Sequence, residues 1–153
     1  MAKLFEDKFM DLQKDMISIC LEYVDGYVEK IYVYASVENN THFFNYFYQI
    51  KGHIAHCHKV NDYIEVGDKI VDVSLNRQSK VLDIGLEDLK KIVELCKENN
   101  RDIPTEFKLI YDVKKGSLET NYKYEPVWAG TKDKTNHNVF ESWYEEVKNE
   151  VEV

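Results

Sequence analysis

The chain has 153 residues, of which 44% are hydrophobic and 31% charged, with twenty Lys+Arg against twenty-eight Asp+Glu and a net charge of −8. That length fits one domain, and the composition is that of a globular fold and excludes a disordered chain. The acidic balance argues against direct binding of a phosphate backbone, which needs basic patches.

The start, Met1 to Lys8, leaves no room for the apolar core of a signal peptide, and Met16 to Leu21 is far too short to span a bilayer. Cys20, Cys57 and Cys96 are odd in number and widely spaced, so reduced buried thiols are expected instead of disulfides or a zinc pattern. The expected compartment is the cytoplasm.

In chain order, residues 3–24 place Phe5, Phe9, Leu12, Met16, Ile19 and Tyr23 at helical spacing. Residues 27–37 change to period two, with Ile31, Val33, Ala35 and Val37 on one face and Tyr32 and Tyr34 on the other. Asn39-Asn40 is a turn, Thr41 to Ile50 a second, aromatic strand, and Lys51-Gly52 turns into a third strand reaching from His53 to Val60. Asp62 to Leu75 reads as a further hairpin around Gly67-Asp68, and Asn76 to Lys80 as a polar loop.

A second helix opens at Gly85 with Glu87-Asp88 in its first turn and ends at Asn99-Asn100. Phe107 to Val113 and Ser117 to Glu125 form a hairpin about Lys114-Lys115-Gly116. A polar stretch, Ala129 to His137, leads to a last helix, where Asn138 and Glu141 have capping-box spacing ahead of Trp143, Tyr144 and Val147. The expected fold is α+β: an antiparallel β-sheet of about five to six strands and three helices, in the order helix, strands, helix, β-hairpin, helix. The helices are expected on one face. Whether the aromatic sheet needs cover on both faces is open at this level; most of its tyrosines are expected in the core.

Motifs for chemistry are sparse. The six glycines are scattered, so neither a Walker nor a dinucleotide loop can be drawn, and there is no Gly-x-Ser-x-Gly elbow or His-Glu-x-x-His helix. His53-Ile54-Ala55-His56-Cys57-His58 places His56 and His58 on one strand face and His53 and Cys57 on the other. A metal site there would need a third ligand such as His42, and half-exposed strand residues are the favoured reading. Asp62, Glu65, Asp68 and Asp72 are read as a solvated hairpin face in preference to a divalent-ion site. No cofactor is expected.

The last helix carries Glu141 with Glu145 and Glu146 with Glu150, like charges at i, i+4. A solvated, fraying tail and an acidic surface kept for a basic partner both account for them.

The order of segments resembles the YezG-like immunity (antitoxin) proteins of bacterial polymorphic toxin systems. The residues carrying the resemblance are Val28-Glu29-Lys30-Ile31-Tyr32-Val33-Tyr34-Ala35, the aromatic Phe43-Phe44-Asn45-Tyr46-Phe47-Tyr48, then Ile103-Pro104-Thr105-Glu106-Phe107-Lys108-Leu109-Ile110-Tyr111-Asp112, the Lys-Gly turn and Leu118-Glu119-Thr120-Asn121-Tyr122-Lys123-Tyr124-Glu125. Thr105-Glu106 stands where that family usually has a Trp, and the end after Trp143-Tyr144 is acidic in place of a Tyr-Lys-Tyr-Leu-Gly-like close. The resemblance implies a non-enzymatic cytoplasmic protein that neutralises a cognate toxin domain, often a nuclease, with no cofactor and no direct contact to nucleic acid or membrane. The expected contacts are Glu119, Tyr122, Tyr124 and Glu125 from the hairpin and Glu141, Glu145, Glu146 and Glu150 from the last helix. The rival expectations are a small metal-dependent hydrolase using His53–His58 and a non-catalytic adaptor.

Overall fold

The structure is a computed structural model that describes residues 4–128 and 134–152. Lys3, at the start of the expected first helix, and residues 129–133 of the expected polar stretch lie outside the described residues. Helix α1 (Phe5–Val24) is followed by strands β1 (Lys30–Glu38), β2 (Thr41–Ile50) and β3 (His53–His56) and a 3-10 helix, Cys57–Tyr63. Then come α2 (Leu75–Glu98), β4 (Glu106–Asp112), β5 (Ser117–Lys123) and α3 (Asn136–Val151). The sheet is antiparallel throughout, in the order β3-β2-β1-β4-β5. The fold is α+β, as expected from the sequence.

The tight turns explain the meander. Asn39 and Asn40 have φ of 49° and 61°, and Lys51 and Gly52 have 53° and 77°. Positive φ at both central residues matches the right-handed twist of the flanking strands in a two-residue hairpin. The Gly52 N–H is also held by Glu29 Oε1 at 2.7 Å.

Alternation then sorts the side chains between two faces. Ile31, Val33, Ala35, Phe44, Tyr46, Tyr48, Phe107 and Leu109 bury against α1 and α2. Tyr32, Tyr34, Phe47 and Ile54 bury on the opposite face against Phe140, Trp143, Tyr144 and Val147 of α3. The expectation of helices on one face is corrected here: the aromatic row of β1 and β2 is apolar on both sides, and α3 supplies the second cover. The tyrosines of β1 and β2 are core residues, and apart from the buried Tyr46 hydroxyl each finds an acceptor. Tyr48 donates to the Cys20 carbonyl at 2.6 Å and Tyr23 to the Cys57 carbonyl at 3.0 Å. The three cysteines are free and buried.

Three segments depart from the sequence reading. No hairpin forms between Asp62 and Leu75; instead the Asn61 amide clamps Val71, accepting from its N–H at 2.9 Å and donating to its carbonyl at 2.8 Å. One side chain thereby satisfies the backbone groups a strand partner would have met. Helix α2 starts ten residues before Gly85, because Ser74 caps it by accepting from the Arg77 N–H. The third strand also stops at His56 and tightens into the 3-10 turn well short of Val60. No helix of the described residues is long and apolar enough to cross a membrane.

Candidate functional site

Helix α3 begins at Thr135, whose hydroxyl accepts from the Asn138 N–H at 3.1 Å, so the cap is Thr135 and not the expected Asn138–Glu141 box. Its inward stripe stacks on aromatic rings: Trp143 meets Phe47 at 5.1 Å and Tyr32 at 5.8 Å between centroids. Polar contacts then fasten it to β3. Glu141 holds His56 Nε2 at 3.0 Å, the His56 ring stacks on Tyr144 at 3.8 Å, and the Tyr144 hydroxyl donates to the Ile54 carbonyl at 3.1 Å. At the far end Glu152 lies 3.0 Å from His53 Nδ1 and accepts from the Ile54 N–H at 3.0 Å. Burial opposes the charged form of Glu152, but the hydrogen bonds from His53, Ile54 and Lys148 prevail and lower its pKa to about 2.

These contacts divide the glutamates of the expected site. Glu141 serves the β3 joint. Glu145, Glu146 and Glu150 are exposed and form no ion pair among the described residues. The helix's Lys148 is held by Glu152 at 3.0 Å. On β5, Glu119 pairs with Ile110 in register and so points to the α3 side of the sheet. The charges of Glu150, Glu119 and Glu29 all reach the Tyr32 hydroxyl, whose pKa is pushed up to about 12 by burial first and then by these three carboxylates. Glu119 and Glu150 therefore both lie within electrostatic reach of the Tyr32 hydroxyl.

The aromatic members of the expected site lie elsewhere. Tyr122 points to the α1 face, its ring 5.6 Å from those of Phe9 and Phe107 and its hydroxyl donating to Gln13 Oε1 at 2.8 Å. Tyr124 is 53% exposed on that same side, beside Phe5, Phe9, Arg101 and Asp102. Glu125 is exposed, and its carbonyl accepts from the Thr105 hydroxyl at 2.6 Å. The structure thus gathers the glutamates of β5 and α3 on one face and leaves both tyrosines on the other.

The histidine cluster is used differently from a strand motif. His56, Cys57, His58, His137 and Glu141 line a cavity of about 310 Å³. His53 instead stacks on Tyr63 at 4.5 Å. His42 has a register position on the α1–α2 face, opposite His56, and cannot complete a ligand set with it. The His58 pKa is lowered by burial and then by neighbouring His56. Among the described residues no group of three or more His, Cys, Asp and Glu side chains is placed to hold a metal ion. The acids of the 62–72 segment do not converge either: Asp68 binds the Glu65 N–H and Asp72 the Ser74 N–H.

Sequence reasoning missed His53, His56 and Glu152 as the anchors of α3, because each is joined to a residue 85 or more positions away. No protein-family model matches the chain, and no curated protein matches it.

Proposed function

We propose that the chain is an immunity protein that binds and neutralises a cognate bacterial toxin domain in the cytoplasm, without catalysis of its own. The reading rests on one observation: Glu145, Glu146 and Glu150 of α3, with Glu119 of β5, remain exposed and unpaired among the described residues after the fold has used Glu141 and Glu152. A nuclease is the toxin class whose surface answers this one, since its substrate groove is basic. Carboxylates steer the inhibitor to that groove and stand where phosphates would. The rival hydrolase reading draws less support, because the imidazoles of His53 and His56 stack on Tyr63 and Tyr144 and join α3 to β3.

Copurification from the native cell under gentle conditions, followed by mass spectrometry, is the direct test. A toxin-like partner is expected, with binding that weakens as salt rises. Glu146→Lys/Glu150→Lys, placed on an exposed helix face, should leave the melting temperature unchanged and weaken capture of that partner at least about tenfold. Absence of any toxin-like protein, or an affinity indifferent to both salt and charge reversal, overturns the reading.

A further inference from the structure

The two edges of the sheet are treated differently. At the β3 edge, the Ile54 N–H is taken by Glu152 and its carbonyl by the Tyr144 hydroxyl, so α3 closes that edge. At the β5 edge nothing comparable occurs among the described residues. At the two ends of the β1–β4 ladder Val37 N–H bonds the Thr105 carbonyl at 2.9 Å and Val113 N–H the Glu29 carbonyl at 3.0 Å, which directs the odd-numbered backbone groups of β4 toward β1, while the Thr105 N–H ahead of β4 turns to the Lys123 carbonyl at 2.7 Å. The even-numbered groups of β4 therefore meet Ser117, Glu119, Asn121 and Lys123 of β5. Leu118, Thr120 and Tyr122 are left with N–H and C=O groups directed outward, with no partner among the described residues. Open edges of this kind invite another strand, and proteins ordinarily blunt them with bulges, proline or inward charge. Residues 117–123 contain no proline and pair with β4 without a break in register.

The side chains of β5 complement themselves. In an antiparallel pairing of two copies about an axis at Asn121, Glu119 of each copy faces Lys123 of the other. These are non-hydrogen-bonded pairs, where side chains approach most closely. Thr120 then exchanges backbone bonds with Tyr122 of the second copy. Leu118 comes beside the second copy's Tyr124, which is 53% exposed in the single chain. Shifting the axis to Glu119 sets that carboxylate against its own copy, and shifting it to Thr120 leaves both charges opposite neutral side chains. Only the Asn121 register pairs the charges.

We propose that the chain forms a two-fold homodimer through antiparallel β5–β5 pairing centred on Asn121, joining two five-stranded sheets into one. The axis stands normal to the sheet, so both α3 helices lie on the same face. The dimer forms from the purified chain alone and does not depend on the toxin-binding reading; it takes up Glu119 and leaves Glu145, Glu146 and Glu150 of α3 as the carboxylates of that reading.

Sedimentation of the purified chain over a wide concentration range is the first measurement, with a dimer expected. Asn121→Cys, exposed and facing its own copy, should give an intermolecular disulfide under mild oxidation, because cross-strand Cα atoms of a non-hydrogen-bonded pair lie about 4.5 Å apart. Glu119→Lys should raise the dimer dissociation constant at least about tenfold by placing two lysine pairs face to face, and Glu119→Gln should raise it less. Thr120→Pro removes an N–H that the monomer does not use, and should give a folded monomer. A chain that stays monomeric throughout overturns the proposal. So does a dimer indifferent to Glu119→Lys and Thr120→Pro, or one in which Asn121→Cys fails to cross-link.

Discussion

Gly85 is the position where a single methyl group tests the α2–β2 packing. It sits inside α2, and a Cβ built there would lie 2.4 Å from Cε1 of Phe44 and 2.5 Å from its Cδ1 and Cζ. Ordinary carbon contacts begin about 1 Å further out. Two effects compete in Gly85→Ala. Alanine is favoured over glycine in a helix interior by about 1 kcal/mol. Against this, forcing a methyl into a packed core costs roughly 1–3 kcal/mol. The neighbour cannot swing away cheaply, since Phe44 is 3% exposed and its ring lies 6.2 Å from that of Tyr46. Packing should win, with a net loss of up to about 2 kcal/mol in urea unfolding and a fall in Tm of up to roughly 8 °C for a domain of this size. Phe44→Leu in the same chain should make room, so the double variant should lose less than the sum of the single changes. A Gly85→Ala protein as stable as the parent, or more so, would refute this packing and leave only helix propensity at work.

Tyr34 donates to Glu106 Oε2 at 2.7 Å, and Glu106 is 2% exposed with Lys108 and Lys123 each 3.8 Å from its other oxygen. Tyr34→Phe removes a donor from a buried carboxylate and should cost roughly 1–3 kcal/mol by chemical denaturation; an unchanged midpoint would count against that bond. Asp88 has its pKa pushed up to about 8 by burial first, then by the hydrogen bond and charge of Asp15 on the facing helix. Its carboxyl holds a proton in the folded chain over a range where the unfolded chain has lost it, so the stability this one group contributes is fully present below about pH 4 and is lost as pH rises through about 8. Asp88→Asn should flatten that part of the stability–pH curve, and a slope equal to the parent's would assign it to other groups.

What the sequence displays is what depends on near neighbours. The period-two runs of β1, β2, β4 and β5 and the Asn39-Asn40 and Lys51-Gly52 turns are local, and they place the sheet correctly. The failures are competitions between local signals and a distant or less conspicuous one. Val71 and Val73 alternate like a strand, yet Asn61, ten positions earlier, supplies the partner for Val71. The first turns of α2 carry Asn76, Arg77, Ser79 and Lys80, which look like a loop, until Ser74 is seen to cap them and Gln78 to donate to the Val73 carbonyl at 2.7 Å. Tyr122 alternates with Glu119 and Asn121, so its inward face follows from the period alone; its contact with Gln13 does not. The acid-rich character of α3 is legible, whereas the division of its glutamates is not, because it is made by histidines on β3.

That division bears on the like-charge pairs of α3. Each i, i+4 glutamate pair disfavours the helix by roughly 0.2–0.5 kcal/mol in isolation. In the folded chain Glu141 is drawn to His56 and Glu152 to His53 and Lys148, so the carboxylates beside β3 have partners. Glu146 and Glu150 have no such relief among the described residues, and Glu150 shares the field at Tyr32 with Glu119. Neither of the pair is buried, so a neutral side chain would remove the repulsion at no packing cost. A cationic surface from outside the chain, set against Glu146 and Glu150, would relieve that repulsion.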